Sequence, residues 1–414
     1  MQQKGLIIIN FIIFLLIHTA FSKTILVGKS KEIHTIHAAL ALAENGDTIR
    51  VTGGFYKEGN ITITKAIYLS GIDQPVLDGG HAVEIISVKS NFVTVSGFRI
   101  QHAGSSGVND IAGIKIYNCN NVSIINNILD DTNFGIYTQF GTNCTIKNNH
   151  LISYGTEEFQ SGNGIHCFKC DSMLIIGNEI MGHRDGIYFE FVTNSMIWRN
   201  LSTGNVRYGL HFMFSQNNNY INNLFKDNGS GVAVMYSHGV KMFNNFFEDN
   251  WGDASYGILL KDISDSYIEG NHFSKNTVAI HMEGSSRVKL LRNEFINNGW
   301  AIKIQASCDN DTITGNNFSG NTFDISTNGS LVLNNFDGNY WDKYEGYDLN
   351  KDLIGDVPYH PVSLYSMIID NNPAALMLFR SLIVSLLDKS EKIIPSVTPG
   401  DLKDDHPLMH PLSL

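Results

Sequence analysis

The strongest constraint on this chain is a repeat. Gly209-Leu210-His211-Phe212-Met213-Phe214-Ser215 returns 22 residues later as Gly231-Val232-Ala233-Val234-Met235-Tyr236-Ser237. Asn recurs at Asn127, Asn149, Asn178, Asn200, Asn223, Asn245, Asn271, Asn293 and Asn316, in steps of 22, 29, 22, 23, 22, 26, 22 and 23. A period near 22, short alternating strands and Asn-rich turns are the signature of a parallel β-helix, in which stacked coils bury one continuous core. The expected fold is therefore all-β: a right-handed parallel β-helix over residues 23–336. A short N-terminal capping helix precedes it, and a turn-rich, helical extension follows over 337–414. The recurring Asn can tolerate left-handed backbone and hydrogen-bond its equivalents above and below.

The columns of the repeat separate inside from outside. Two residues past each anchor stands an interior position that becomes Phe at Phe225, Phe247, Phe273, Phe295 and Phe318. Another strand begins at Gly135, Gly164, Gly186, Gly209, Gly231 and Gly257, with an aliphatic residue next each time. Strand side chains alternate, so its second and fourth positions face in and its third and fifth face out. The outward pairs include His166/Phe168, Tyr188/Glu190, His211/Met213, Ala233/Met235, Leu259/Lys261 and His281/Glu283. Met213 should lie over Met235, about one strand spacing of 4.8 Å away, with His211 beside them. Insertions at Thr156–Ser161 and around Trp251–Ser255 precede this strand and should form loops rimming its face.

The flanks are different. Lys4, the apolar run Leu6–Ile17 and Ala20-Phe21-Ser22 read as a cleaved export signal over residues 1–22, which puts the mature chain outside the cytoplasm. Ile33–Glu44 has helical spacing suited to covering the open end of a stack. Asp348–Asp356 resembles the start of a calcium loop but has Leu353 at the sixth position and Tyr359 at the twelfth; a hydrogen-bonded turn cluster is the other reading. Ser363–Asn372 and Ala374–Ile393 read as amphipathic helices broken at Pro373, able to cap the β-helix. Cys119, Cys144, Cys167, Cys170 and Cys308 are odd in number, and the lone Cys167-Phe168-Lys169-Cys170 motif reads chiefly as buried structure. A net charge of −11 with only 17% charged residues argues against nucleic acid and anionic membrane as partners.

Thioether and imidazole together suit copper, above all Cu(I). His211, Met213, Met235 and His281 are the candidate ligands on the outward face, with a packing or docking patch as the alternative role. His166 and His281 are each placed two coils from His211, too far to share one metal with it. Met242 and Met282 fall in inward columns. A carbohydrate-active β-helix enzyme (a polysaccharide lyase or epimerase type) would instead need paired carboxylates on this face. Asp185 and Glu190 near Arg184, then Glu283 with Lys261, are the candidates. No phosphate loop, nucleophile elbow or HExxH motif is present.

The runs YGLHFMFS, NGSGVAVMYS and FEDNWGDASYGILLKDISDS resemble the NosD family of periplasmic accessory proteins of nitrous-oxide reductase maturation. GNYWDKYEGYDLNKDLIGDVPYHPVSLY, NNPAALMLFRS and the Pro-Leu-Met-His-Pro tail are similar to the same family. The resemblance implies a non-enzymatic β-helix that docks on an ABC transporter of membrane subunit and ATPase. It also implies that copper comes from a chaperone and is supplied to nitrous-oxide reductase, bound transiently. His211, Met213 and Met235 lie in the matching runs, as do Tyr236 and Lys261; with Glu283, the last two are the expected partner-binding positions. The resemblance carries no role to Cys167 and Cys170.

Overall fold

A computed structural model describes residues 22–106, 108–329, 334–384, 386–387 and 402–414. All but the last residue of the expected export signal lies outside them. The described chain is a parallel β-helix whose coils contribute to three sheets of 14, 12 and 13 strands. One coil runs Asn219–Ile221, Leu224–Lys226, Ser230–Met235, and each strand pairs in parallel with its equivalent in the next coil. Gly is needed where the long strand begins, because a Cβ on Gly231 would stand 2.5 Å from the Gly257 carbonyl oxygen of the next coil.

The anchor asparagines form an internal ladder. Asn245 donates its backbone N–H and its Nδ2–H to Asn271 Oδ1 (2.9 and 3.0 Å), and its other Nδ2–H to the Tyr220 carbonyl. The same unit recurs from Asn127 to Asn339. The left-handed residue is the one just before each anchor, as at Asn126, Asn148, Asn222 and Asn244. That residue turns the chain, and the anchor behind it points inward, where its amide must meet every hydrogen bond from protein. A second ladder, absent from the sequence reading, links Asn205, Asn228, Asn250, Asn276, Asn298 and Asn321.

The phenylalanine column is present and continues into Trp341, its rings 4.1 to 5.5 Å apart from Phe225 onward. Met242 and Met282 are fully buried in the core, as their inward columns require. All five cysteines are buried and unbridged.

The two ends are closed differently. At the N-terminal end Ile36–Leu42 forms the capping helix, burying Ile36 and Ala39. Thr35 caps it by accepting from Ala38 N–H, and Glu58 accepts from Ile36 and His37 N–H at its positive end. The C-terminal end is closed by the tail 402–412, which bridges to Phe336 and Tyr340 and exchanges hydrogen bonds with Asn317. The helix Leu364–Asn371 instead packs Tyr365 and Ile369 against Phe323 and Trp300, on the flank of the twelve-stranded sheet. The second helix expected from Ala374 is broken near its start, and helical backbone resumes only at 382–384 and 386–387. Pro373–Leu378 is a 3₁₀ turn and Arg380 is left-handed (φ 61°), so helical hydrogen bonding cannot run through. Residue 385 and residues 388–393 of that expectation lie outside the described chain. Among the described residues no helix is long and apolar enough to cross a membrane. In the calcium-like stretch, Asp348 accepts from the N–H groups of Lys351, Asp352 and Leu353, and Asp356 from that of Leu349. That is the hydrogen-bonded turn arrangement, with Asp348 turned onto its own backbone.

Candidate metal centre on the twelve-stranded sheet

The outer face of the twelve-stranded sheet holds the candidate ligands. Strands Asp185–Glu190, Tyr208–Met213, Ser230–Met235 and Tyr256–Lys261 lie side by side. Their register puts Tyr188, His211, Ala233 and Leu259 in one row, and Glu190, Met213, Met235 and Lys261 in the next. Met213 and Met235 are direct neighbours, as the repeat predicts.

The first row is outward-facing yet largely covered. Tyr137 and His166 are 4.5 Å apart ring to ring, His166 and Tyr188 4.7 Å, Tyr188 and His211 4.7 Å, and Tyr208 adds a ring 4.9 Å from His211. Rings stacked at strand spacing shield one another, so His166 and His211 are buried although they leave the sheet on the solvent side. Burial drives the His166 pKa down to about 3, and nearby Arg184 works in the same direction. Burial likewise raises that of Glu190, whose Oε2 lies 4.0 Å from His166 Nε2.

Asp185 organises the centre. It has no solvent exposure and receives two hydrogen bonds from Arg207, Nε to Oδ1 at 2.9 Å and Nη2 to Oδ2 at 2.6 Å. Burial opposes its charge, but the bonds from Arg207 and His211 hold its pKa below the ordinary carboxylate value. His211 Nδ1 is 3.4 Å from Asp185 Oδ2, while His211 Nε2 is buried without a hydrogen-bond partner. Met213 Sδ accepts from the Tyr188 hydroxyl at 3.7 Å. The insertion at 156–161 does rim this face: Glu158 Oε2 reaches to 3.9 Å from Arg207. The second insertion tucks its Ala254 carbonyl against Ser230 Oγ at the edge of the same sheet.

His211, Met213 and Met235 are thus brought together. His281 is not: the register counts three strands from His211 to His281, through Ala233 and Leu259, where the sequence reading counted two. At about 4.8 Å per strand the gap is about 14 Å. Lys261 and Glu283 engage each other at 3.2 Å. Tyr236 is exposed and stacks on Phe214 (5.1 Å), which stacks on Phe191 (5.2 Å). These three rings follow directly after Met235, Met213 and Glu190 and form an aromatic ledge along the thioether row, each in left-handed backbone. Sequence reading missed the ledge, Arg207 and Tyr208. A visible signal was the aromatic recurring just after the fifth position of successive strands. For the carbohydrate-enzyme reading, Arg184 does not serve Asp185; its guanidinium donates to Asn163 Oδ1.

The family model described as periplasmic copper-binding protein (NosD) matches residues 151–346, which include the whole His211/Met213/Met235 cluster. Residues 151–346 are thus similar to the NosD family. The chain's likeness to NosD proteins extends well beyond that segment. It is 28% identical over 372 residues to a probable ABC transporter binding protein NosD of Pseudomonas aeruginosa, covering 85% of this chain and 86% of that one. A protein of the same description from Stutzerimonas stutzeri is 29% identical over 143 residues, 34% of this chain and 28% of that one. Among solved structures, the Streptococcus pneumoniae surface adhesin PfbA superposes with a TM-score of 0.59 at 15% identity, covering 70% of this chain and 94% of the adhesin. A Family 28 exopolygalacturonase of Yersinia enterocolitica gives 0.58 at 10% identity, covering 77% and 78%. These last two share the fold alone.

Proposed function

We propose that this chain is a periplasmic maturation factor for nitrous-oxide reductase, working with an ABC transporter and carrying Cu(I) as cargo on the row that contains Met213 and Met235. The observation that carries the reading is the neighbouring pair Met213/Met235 beside His211, a buried imidazole whose Nε2 has no partner. The donor chemistry fits. Asp185 faces Nδ1, which favours the tautomer with its lone pair on Nε2, the arrangement a metal-binding histidine needs. Two neutral thioethers and one imidazole select a soft monovalent cation. The same set is weak enough to release it, which suits a carrier. His281 takes no part in this site.

The exposed ledge of Phe191, Phe214 and Tyr236 gives a protein partner an aromatic surface beside the thioethers, suited to docking a copper chaperone. The Lys261–Glu283 pair, one strand beyond Met235, adds charges that could set the partner's orientation. Relatives described as ABC transporter binding proteins support a transporter subunit and its ATPase as further partners. The polysaccharide-enzyme reading is less well supported, because both oxygens of Asp185 are held by Arg207.

The test is the copper content of nitrous-oxide reductase matured in cells that make only the Met213→Ala/Met235→Ala chain. Copper-depleted reductase alongside normal amounts of the variant supports the proposal; full copper loading removes it.

A further inference from the structure

A second cluster of metal-binding side chains lies near the N-terminal end of the β-helix, on turns of the thirteen-stranded sheet. His81, His102 and Asp131 follow the strands Val76–Asp78, Arg99–Gln101 and Ile128–Asp130, which are neighbours in that sheet. All three residues are left-handed, with φ of 57°, 55° and 52°. His102 and Asp131 directly follow their strands and His81 comes three residues after its own, and the donor atoms of all three gather within 4.8 Å across successive coils. His81 Nε2 stands 3.8 Å and His102 Nε2 3.9 Å from Asp131 Oδ2. Among the described residues, this is the one group of three or more His, Cys, Asp or Glu side chains whose donor atoms all lie within 4.8 Å of one another.

From these residues we infer a binding site for a divalent first-row transition ion, with His81 Nε2, His102 Nε2 and an Asp131 carboxylate oxygen as ligands. Two nitrogens and an oxygen suit Cu(II) or Zn(II) and not Cu(I), which sets this site apart from the thioether row. Donors about 2.0–2.1 Å from a tetrahedral metal stand about 3.3 Å apart, so the three donors, now within 4.8 Å of one another, must draw together through rotamer shifts to close the cage. Its orientation is already built in. His102 Nδ1 lies 2.8 Å from Asp78 Oδ2, and Gln101 Nε2 donates to the same oxygen at 2.8 Å. A carboxylate on Nδ1 fixes the proton there and turns the Nε2 lone pair toward the ligand position, as second-layer carboxylates do for metal-bound histidines. Asp130, next to the ligand Asp131, is tied to Arg99 and Tyr154 and so holds that turn in place. His81 and Asp131 are exposed enough to leave a coordination position open to water or to a partner's side chain.

The test is titration of metal-stripped full-length protein with Zn(II) by calorimetry and with Cu(II) followed by electron paramagnetic resonance. One equivalent of each metal, with nitrogen hyperfine coupling in the Cu(II) spectrum, is expected. Affinity should fall at least 100-fold in His81→Ala/His102→Ala and about 10- to 100-fold in Asp78→Asn. Both variants should keep the wild-type circular dichroism spectrum, and the His pair variant should keep Cu(I) binding at the thioether row. Equal binding by wild type and the His pair variant, or no binding by wild type, overturns the site. Neither result bears on Met213 and Met235.

Discussion

Asn339 donates both its backbone N–H (2.9 Å) and its Nδ2–H (3.0 Å) to one oxygen of Asp404, a residue 65 positions further along the chain. Asp404 therefore stands where the next asparagine of the ladder would stand. The same oxygen accepts from Trp341 Nε1, and the other accepts from Gly338 and His406 N–H. A stack of coils must end somewhere, and its last ladder donors need an acceptor; the returning tail supplies it.

Replacing Asp404 should unlatch that end. Asp404→Ala orphans the buried Asn339 and Trp341 donors and should cost about 3–5 kcal/mol, whereas Asp404→Asn, which keeps one acceptor oxygen, should cost roughly half as much. Urea unfolding measures the loss, and hydrogen exchange should quicken at amides 338–341 before it does near Asn223.

Inside the ladder the burden per residue is similar. Asn245→Ala removes the two bonds its Nδ2 donates and the two its Oδ1 accepts from Asn223, all buried. A cost of about 3–5 kcal/mol is expected, against less than about 0.5 for an exposed asparagine such as Asn109. Thermal unfolding of the two variants in parallel checks the contrast.

Acid stability should show two opposing slopes. His166 is buried neutral with its pKa depressed to about 3, so the unfolded chain takes up a proton below about pH 6.5 that the native chain refuses. Its contribution is present above pH 6.5 and is lost as pH falls from there toward 3. Asp311 has the reverse sign: burial raises it to about 6, so the native chain holds its proton between about pH 4 and 6 while the unfolded chain has released it. That contribution is present below about pH 4 and declines as pH rises toward 6. Relative to wild type, His166→Phe should flatten the fall in stability from pH 6 to 4, and Asp311→Asn should steepen it. Proton uptake on unfolding, about one fewer or one more near pH 5, is the readout.

The Asp185–Arg207 pair should behave as a unit. Arg207→Met leaves a carboxylate with no solvent exposure facing only His211, which should cost about 3–5 kcal/mol. Asp185→Leu/Arg207→Met should recover most of that stability. The recovered protein should still bind Cu(I) more weakly, because His211 has lost the carboxylate at Nδ1. Chemical unfolding and a copper titration of both variants separate the two effects.

What was legible in the sequence was whatever the period carries. The spacing of the asparagines gave the coils, and the alternation gave the Met213–Met235 adjacency and the Phe225–Phe318 column, because parallel register copies a one-dimensional pattern into three dimensions. Position 202 fell in that column as a serine, and the structure shows why it fits: Ser202 Oγ donates to the Gly209 carbonyl and accepts from Asn205. The parts that were not legible depend on contacts across the period. Arg207 reaches back one coil to Asp185, and His81 and His102, which precede the first repeating asparagine, meet Asp131 just after it. Asp404 comes from a tail with no periodicity at all. The burial of His211 also escaped a reading by faces, since alternation says which way a side chain leaves the sheet but not whether neighbouring rings cover it.

The measurement that tests the account most directly is a Cu(I) titration of the chain from Lys23 onward against a competing chelator, with Met213→Ala/Met235→Ala run beside it. The account predicts one bound Cu(I) for the wild type and at least a 100-fold loss for the variant, with His81→Ala/His102→Ala binding as wild type does. Equal Cu(I) affinity in the wild type and the Met variant, or none in either, would contradict it and leave this face as a docking surface without metal.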